Sequence, residues 1–581
     1  MPGISPLLDL PPSTPNRTSK IDAMVRCAGR SWPIAVIAIV AFAIGLYARF
    51  LNHLFYATHG PFYDSLSYSL NLAALYWRIQ EWGLAAGISH AVMIDSTVFL
   101  PWIEACFLAL VSDLRRDMFV WLQLPWLFVL GAAAYRYFSS NADCSPSLAI
   151  CLSVPLMAIN GIFLFDGGLS DLRMDLFQYL LFGTTCIIYL SIRSYPRAAR
   201  LRSWALLGVV AGLTCLVRAT TPIFFFVVFA PIMIADLFER RGNIRAALYG
   251  YGTAGLMLAA VAGWFYVIHF HYLHYYYFVW NMAANANLQI RQSVAHIWLL
   301  FRQNIGWPLS LFLCLSLLLG LVSHLLAGKP LRAQFNWRAL WCGVAPISFL
   351  VLRGAGLNPF VSMISATGFL IFCAAPWEGH MCRPRWIKMA LMVGSIAAVA
   401  ATAAAGIANH QDDRYVSWVP RSAAIAAVVD QLIADLRNRP PGTYAFSMVH
   451  CGAINTDVLI NTLVFDRAEK YDGNSAVSNG HWTLTSFGSA AGALTKVQWE
   501  QIPGGDDEEK IRGIVQSLLS NSDYLLLPQP DSKFPSYIFI NQYALMIRER
   551  LIASGRLTAF GPIISVAPGE SVVWYVNHRD P

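Results

Sequence analysis

The feature that most constrains this chain is a series of about eleven apolar runs of 15 to 22 residues. A helix needs about 20 apolar residues to cross a bilayer, and backbone groups cannot stay unpaired in lipid. The runs lack the alternation typical of barrel strands. They therefore predict an all-α polytopic membrane domain with about 11 transmembrane helices over residues 33–407, after a cytoplasmic N-terminal segment, 1–32. The runs are 33–51, 118–138, 147–163, 176–193, 203–217, 220–237, 247–268, 308–327, 339–353, 359–376 and 387–407.

Composition divides the chain into two parts. Of its 581 residues, 56% are hydrophobic and only 13% are charged, which excludes a purely soluble enzyme and a disordered chain. Residues 1–407 hold 27 Lys and Arg against 15 Asp and Glu, whereas residues 408–581 hold 14 against 18. The basic excess lies in short loops between apolar runs, so it does not indicate nucleic-acid binding. No two cysteines have CxxC spacing, and we expect neither a disulfide framework nor a thiolate zinc site.

The basic residues also predict orientation. With the N-terminus in the cytoplasm, 18 Lys and Arg of residues 1–407 fall on inner loops and eight on outer loops, with Arg49 ambiguous. Nine of the 15 acidic residues then fall outside. The positive-inside rule favours this arrangement, which gives outer loops at 52–117, 164–175 and 269–307 and an outer C-terminal domain. It requires that the apolar stretch 97–112 does not span the membrane, and we interpret that stretch as a half-buried interfacial helix. About 30 polar residues precede the first run, so we expect no cleavable signal.

The C-terminal residues 408–581 alternate helical and strand patterns. Residues 423–437 and 508–520 have amphipathic helical periodicity, and residues 443–450, 523–528 and 571–576 are typical of strands. This alternation predicts a compact, soluble α/β domain. The segment has no phosphate-loop pattern, and an acceptor-binding or packing role is its simplest interpretation.

Acidic residues of the outer loops are the candidates for chemistry. Residues 61–77 predict a helix with Leu66, Leu70, Ala73, Ala74 and Trp77 on one face and Asp64 at its start. Asp64 either caps that helix or acts as a base at the mouth of a membrane cavity. Asp171 and Asp175 are spaced to share a helix face, with Arg173 between them. Carboxylates beside lipid need partners, and these could be Arg173, a cation or a substrate.

Basic and aromatic residues could complete a site on the same face. Arg218 and Arg353 each lie at the end of an apolar run. Each either extends its guanidinium to the lipid headgroups or binds a lipid phosphate through two N–H groups. His271 and His274 could form a metal or phosphate site, although histidines and aromatic residues are also usual in the interfacial belt.

Together these features resemble the GT-C superfamily of polytopic glycosyltransferases, which includes protein O-mannosyltransferases and the bacterial lipid A aminoarabinose transferases. Members have a cytoplasmic N-terminus, a long first outer loop with an early catalytic Asp, often DE followed by a Tyr, and a second acidic residue after the third span. Asp64, with Tyr68 four residues later, matches the first position, although Ser65 replaces the second acidic residue of the family pattern. Asp171 or Asp175 matches the later position. The resemblance covers roughly residues 33–380 and rests on topology and spacing.

The resemblance implies an inverting transferase of the inner membrane that uses a polyprenyl-phosphate sugar as donor. Asp64 would be the general base, Asp171 or Asp175 would orient the acceptor or hold a divalent cation, and Arg218 and Arg353 would bind the donor phosphate. Tyr68, Arg173, His271 and His274 are further candidates for substrate binding. Membrane lipids and a glycan, lipid or protein acceptor would be its partners. A polytopic transporter and a non-catalytic membrane protein with an outer sensory domain remain alternatives; clean spans with charges gathered at one face favour interface chemistry over transport.

Overall fold

The computed structural model describes most of the chain, and all structural statements below concern that part. The ranges are 17–60, 64–140, 142, 144–164, 168–169, 171–192, 197–239, 244–280, 294–328, 335–353, 359–377, 384–410, 421–449, 454–473, 476–486, 499–500, 502–532 and 541–578.

The described residues before 411 are almost entirely helical. Two π-helical turns, Ala259–Gly263 and Tyr275–Trp280, interrupt the later helices. In chain order the helices are α1 (Arg17–Thr58), α2 (Asp64–Trp82), α3 (Leu84–Met93), α4 (Leu100–Leu108), α5 (Phe119–Ser140), α6 (Pro146–Met157), α7 (Met174–Ile192), α8 (Arg197–Val217), α9 (Thr221–Glu239), α10 (Ile244–Leu258), α11 (Trp264–Ile268), α12 (Phe270–His274), α13 (Val294–Ile305), α14 (Trp307–Leu326), α15 (Trp337–Arg353), α16 (Pro359–Ala374) and α17 (Arg385–His410).

Nine of the apolar runs predicted from the sequence each match one of these helices. The run 147–163 extends six residues beyond the end of α6, and the run 247–268 covers α10, the first π-helical turn and α11. By length and composition, six helical segments of the described chain could cross a membrane. The other five runs form α5, α6, α8, α15 and α16. The six segments are Ser31–Thr58, Met174–Ile192, Thr221–Glu239, Ile244–Ile268, Trp307–Leu326 and Arg385–Ala408.

The ambiguous stretch 97–112 contains α4, which has nine residues. At 1.5 Å per residue, α4 is about 14 Å long. It therefore cannot cross a hydrocarbon core about 30 Å thick, which fits its interpretation as an interfacial helix.

Helix α7 is the centre of the membrane domain. Within its most apolar stretch, 94% of the residues are buried, against 17% to 39% for the other five candidate spans. It packs against α5, α8 and α16. The other spans thus keep a face free for lipid, whereas α7 is surrounded by protein and any polar group on it needs a protein partner.

The C-terminal domain is built on a mixed sheet. Its described strands have the order β2-β3-β4-β1-β5-β7-β6, with β1 parallel to both β4 and β5. The strands are β1 (Gly442–Met448), β2 (Lys470–Tyr471), β3 (Ala476–Ser478), β4 (Trp482–Ser486), β5 (Tyr524–Pro528), β6 (Leu557–Ala567) and β7 (Glu570–Asn577), and the helices are α18 (Ser422–Arg437), α19 (Thr456–Asp466), α20 (Asp507–Asn521) and α21 (Asn541–Ala553). The predicted α/β domain, its two helices and its three strands are confirmed.

The helix predicted over 61–77 is α2, which begins at Asp64. Its predicted apolar face is confirmed, because Leu66, Leu70, Ala73 and Ala74 are each 8% exposed or less. These side chains pack into the core of the C-terminal domain. The helix therefore joins the two domains.

Candidate active site

The first turn of α7 carries a buried ion-pair cluster. The carboxylate of Asp175 lies 2.5 Å from Nη1 of Arg218 and 3.2 Å from Nη2 of Arg173. The side chains of Asp175, Arg173 and Arg218 are 6%, 16% and 21% exposed. Since α7 is enclosed by other helices, the buried carboxylate of Asp175 needs partners of this kind. The structure thus supplies two arginines as the partners that the sequence left open.

Arg218 lies in the connection between α8 and α9, at the end of the bundle where α7 begins. Burial disfavours its charged form, but Asp175 and the nearby phenol groups of Tyr277 and Tyr68 outweigh that effect and raise the pKa of Arg218. The guanidinium is therefore permanently charged and is held in place by its partners.

Backbone hydrogen bonds connect the segment between α1 and α5 to the same place. The N–H of Ala219 donates to the carbonyl of Thr97 at 3.1 Å, and the N–H of Phe99 donates to the carbonyl of Leu216 at 2.7 Å. The phenol of Tyr277 is hydrogen-bonded to Thr97. Segments that are far apart in the sequence thus converge on Arg218: α2, the loop before α4, the start of α7 and the segment after α12.

The predicted helix face shared by Asp171 and Asp175 is wrong. Helix α7 begins at Met174, so Asp171 lies before it. The N–H of Asp171 donates to the carbonyl of Gly168 at 3.1 Å, which closes a turn, and its carbonyl accepts from Nε2 of Gln123 at 2.8 Å. These bonds hold the backbone of Asp171 outside the helix. Asp171 is nevertheless 4% exposed.

Two of the sequence candidates have side chains outside the described part of the structure, Asp64 and Arg353. Their backbones begin α2 and end α15. Tyr68 lies one turn after Asp64 on α2, or about 6 Å along the helix axis. Since Tyr68 lies near Arg218, the start of α2 lies close to the ion-pair cluster.

The two candidate histidines do not join this cluster. His271 and His274 are exposed, and His274 stacks on Phe270 and Phe278 with ring centroids 6.2 and 5.5 Å apart. This arrangement is typical of an interfacial aromatic belt.

Nothing in the sequence separates His269 from His271 and His274, but the side chain of His269 is buried whereas the other two are exposed. Its side chain is 2% exposed, and Nδ1 lies 3.6 Å from Oδ1 of Asp95. The two residues are far apart in the sequence, and no spacing pattern marks them as a pair.

The described residues contain no group of three or more His, Cys, Asp or Glu side chains that could hold a metal ion. At Asp175 two guanidinium groups occupy the positions that a cation would take. The arrangement of Asp175 therefore suits the orientation of arginines better than the binding of a metal.

Comparison with known proteins adds evidence on the fold. No family model and no curated protein match the chain. The solved structure of ArnT from Cupriavidus metallidurans bound to undecaprenyl phosphate is 12% identical, with a TM-score of 0.52, over 92% of this chain and 97% of that one. The apo state of the same protein gives 13% identity and a TM-score of 0.51, over 94% and 98%. The mycobacterial arabinofuranosyltransferase AftD is 14% identical, with a TM-score of 0.48, over 95% of this chain and 40% of that one.

At these identities the likeness concerns the fold. The chain has a GT-C-like fold, a polytopic helical membrane domain followed by a domain that contains a sheet. The fold expected from the sequence resemblance is confirmed.

Proposed function

We propose that the chain is a membrane glycosyltransferase that moves a sugar from a polyprenyl-phosphate donor to a hydroxyl acceptor at the outer face. The observation that carries the proposal is the convergence of Tyr68, Arg173, Asp175 and Arg218 at one end of the membrane helices, beside the start of α2. The GT-C-like fold supports the general reaction, and its structural neighbour ArnT binds undecaprenyl phosphate. We extend the same assignment to the domains, with residues 33–407 as the catalytic part and 408–581 as the outer domain.

The charge balance of the cluster suits a phosphate. Two guanidinium groups, Arg173 and Arg218, surround one carboxylate, Asp175, so these three groups carry one net positive charge. Asp175 orients both arginines, and a phosphate would accept hydrogen bonds from their guanidinium groups in a fixed geometry. In this proposal Arg218 binds the donor phosphate as part of a cluster, with Asp175 as its positioning residue. Arg353 is proposed as a second phosphate contact.

The proposed reaction is a single displacement. The acceptor hydroxyl oxygen attacks the anomeric carbon and transfers its proton to the carboxylate of Asp64. The bond between that carbon and the phosphate oxygen breaks, and the lipid phosphate leaves with the electron pair, so the configuration inverts. The lipid phosphate is anionic before and after the bond breaks, and Arg218 and Arg173 bind it in both states. A general base contributes about 10²–10⁴-fold in rate.

The test uses membranes that contain the protein and a synthetic undecaprenyl-phosphate sugar, and it measures release of undecaprenyl phosphate together with sugar transfer. Asp64→Asn can still cap α2 but cannot take a proton, so we expect a loss of about 10²–10⁴-fold with the protein still inserted. Asp113→Asn is the matched control: it makes the same change on the same loop at a carboxylate 83% exposed, and it should retain activity. Wild-type transfer by Asp64→Asn would contradict the proposal.

A further inference from the structure

The helix that begins at Asp64 is held by the C-terminal domain. Leu66, Leu70 and Ala73 on α2 are each 5% exposed or less and belong to the same buried cluster as Leu459 and Leu463 on α19. Interfacial helices usually rest their apolar face on lipid. Here that face is buried in protein, so the position of α2 depends on the domain that follows the membrane helices.

A chain of hydrogen bonds runs from the membrane domain through α19 into the first turns of α2. Nη1 of Arg116 donates to Oδ1 of Asn461, and Nδ2 of Asn461 donates to Oγ of Ser69 at 2.5 Å. Oγ of Ser69 donates in turn to the carbonyl of Leu66 at 2.9 Å. Asn461 is fully buried and Ser69 is 3% exposed. Such a chain tolerates little displacement, because a broken link leaves a buried polar group without a partner.

Arg116, at the first link, is fixed from several sides. Its Nε and Nη2 each donate to a carboxylate oxygen of Asp466 at 3.3 Å. Its guanidinium lies 5.3 Å from the ring centroid of Tyr56 and 5.1 Å from that of Phe465. The side chain is 13% exposed. Tyr56 belongs to α1 and Phe465 to α19, so Arg116 connects the first membrane helix to the C-terminal domain.

From this arrangement we infer that Arg116 and Asn461 are positioning residues that fix the first turns of α2, and with them Asp64, relative to the ion-pair cluster. The role of Asp64 rests on the proposed function. The last link of the chain, Leu66, lies two residues after Asp64, or about 3 Å along the helix axis. Displacement of a catalytic group by about 1 Å can cost about 10²-fold in rate. The C-terminal domain would thus contribute to catalysis without contacting the substrate.

The test replaces Asn461 with leucine, which keeps the approximate volume and removes both hydrogen bonds. We expect turnover to fall by roughly 10- to 100-fold, whereas the KM for the donor changes less than about 2-fold, because the phosphate-binding arginines are unaffected. In an Asp64→Asn background the same change should cause no further loss, because the residue acts through Asp64. Normal turnover of folded Asn461→Leu, or an equal loss in both backgrounds, would overturn the inference.

Two further variants control for folding. Ser69→Ala breaks the same chain from α2 and should reproduce the kinetic effect if Asn461→Leu fails to fold. Asp430→Asn removes the ion pair between Asp430 and Arg467, which lies within the C-terminal domain and does not reach α2. It should leave turnover unchanged, and a loss equal to that of the chain variants would contradict a specific positioning role.

A readout independent of activity separates this inference from the proposed function. Hydrogen exchange of the amides in the first turns of α2 should be faster in Asn461→Leu than in the wild type or in Asp430→Asn. If the wild type transfers no sugar, the proposed function fails, and faster exchange would still support the positioning of α2. Unchanged exchange in a folded Asn461→Leu protein would overturn the inference whether or not transfer is seen.

Discussion

Glu104 gives the protein a specific pH dependence of stability. It lies on α4, and Oε1 accepts a hydrogen bond from Nε1 of Trp126 on α5 at 2.5 Å. Its other oxygen is buried and has no partner among the described residues. Burial raises the pKa of the Glu104 carboxyl from 4.5 to about 8, although the bond from Trp126 opposes this. The side chain is therefore largely protonated in the folded protein at neutral pH.

The sign of the effect follows from proton linkage. Between pH 4.5 and about 8 the folded state binds a proton at Glu104 that the unfolded state has released, so the free energy of unfolding falls as pH rises. The fall is about 1.4 kcal/mol per pH unit. The contribution of protonated Glu104 to the free energy of unfolding is fully present below pH 4.5 and is lost as pH rises through the folded-state pKa. At pH 7 the loss is about 3 kcal/mol.

Glu104→Gln removes this dependence. The glutamine keeps an oxygen that can accept from Trp126, but it cannot ionise, so the variant should gain stability relative to the wild type by about 1.4 kcal/mol per unit between pH 5 and 8. Denaturant titration in detergent micelles at several pH values would measure the two profiles. The slope difference decides the outcome, because a constant offset from the new N–H₂ group affects every pH equally. Glu549→Gln, an exposed glutamate on α21, is the control. Parallel profiles for Glu104→Gln and the wild type would refute the assignment.

Three further predictions concern other parts of the molecule. Arg338→Met should destabilise the protein by about 3–5 kcal/mol, because it leaves the buried carboxylate of Asp236 without its arginine. In the wild type Asp236 is 2% exposed and lies 2.6 Å from Nη2 of Arg338. Adding Asp236→Leu should restore much of that loss in the same denaturant titration. Arg218→Ala should raise the KM for the donor more than it lowers turnover, since a phosphate contact acts already in the ground state, and steady-state kinetics with varied donor would show it. Gly368→Ala should destabilise the contact of α16 with α15, because the added Cβ would overlap the backbone nitrogen of Gly343. The control Gly255→Ala should be nearly neutral in thermal unfolding, because nothing lies within 4 Å of its added Cβ.

Features that depend on local pattern could be predicted from the sequence. The apolar runs located helices of the first domain, and six of the described segments are long and apolar enough to cross a membrane. The periodicity of residues 61–77 gave both the start of α2 and its buried face. The helices and strands 423–437, 443–450, 508–520, 523–528 and 571–576 were found for the same reason. In each case the signal lies in neighbouring residues.

The spacing pattern gave a wrong prediction where a turn directly precedes the helix. Asp171 and Asp175 have helical spacing, yet the bond from the N–H of Asp171 to Gly168 closes a turn, and α7 starts only at Met174. Helical spacing is necessary for a shared face, but it does not establish that both residues belong to the helix.

The partner of Arg218 could not be predicted either, and the reason applies to both ends of the bundle. From sequence alone an arginine at the end of an apolar run extends to the headgroups or binds a ligand. Both descriptions consider Arg218 without a partner from the protein. Asp175, however, lies at the start of the most buried candidate span, where neither lipid nor water can solvate its carboxylate. At the opposite end the buried Asp236 accepts from Arg338 and from the hydroxyl of Tyr189 on α7. The two ends thus follow one rule: because α7 is enclosed by protein, acids beside its termini need arginines as partners, and Arg218 and Arg338 come from segments distant in the sequence. When an acidic residue lies next to a predicted central helix, its arginine partner should therefore be sought at the ends of apolar runs that are distant in the sequence.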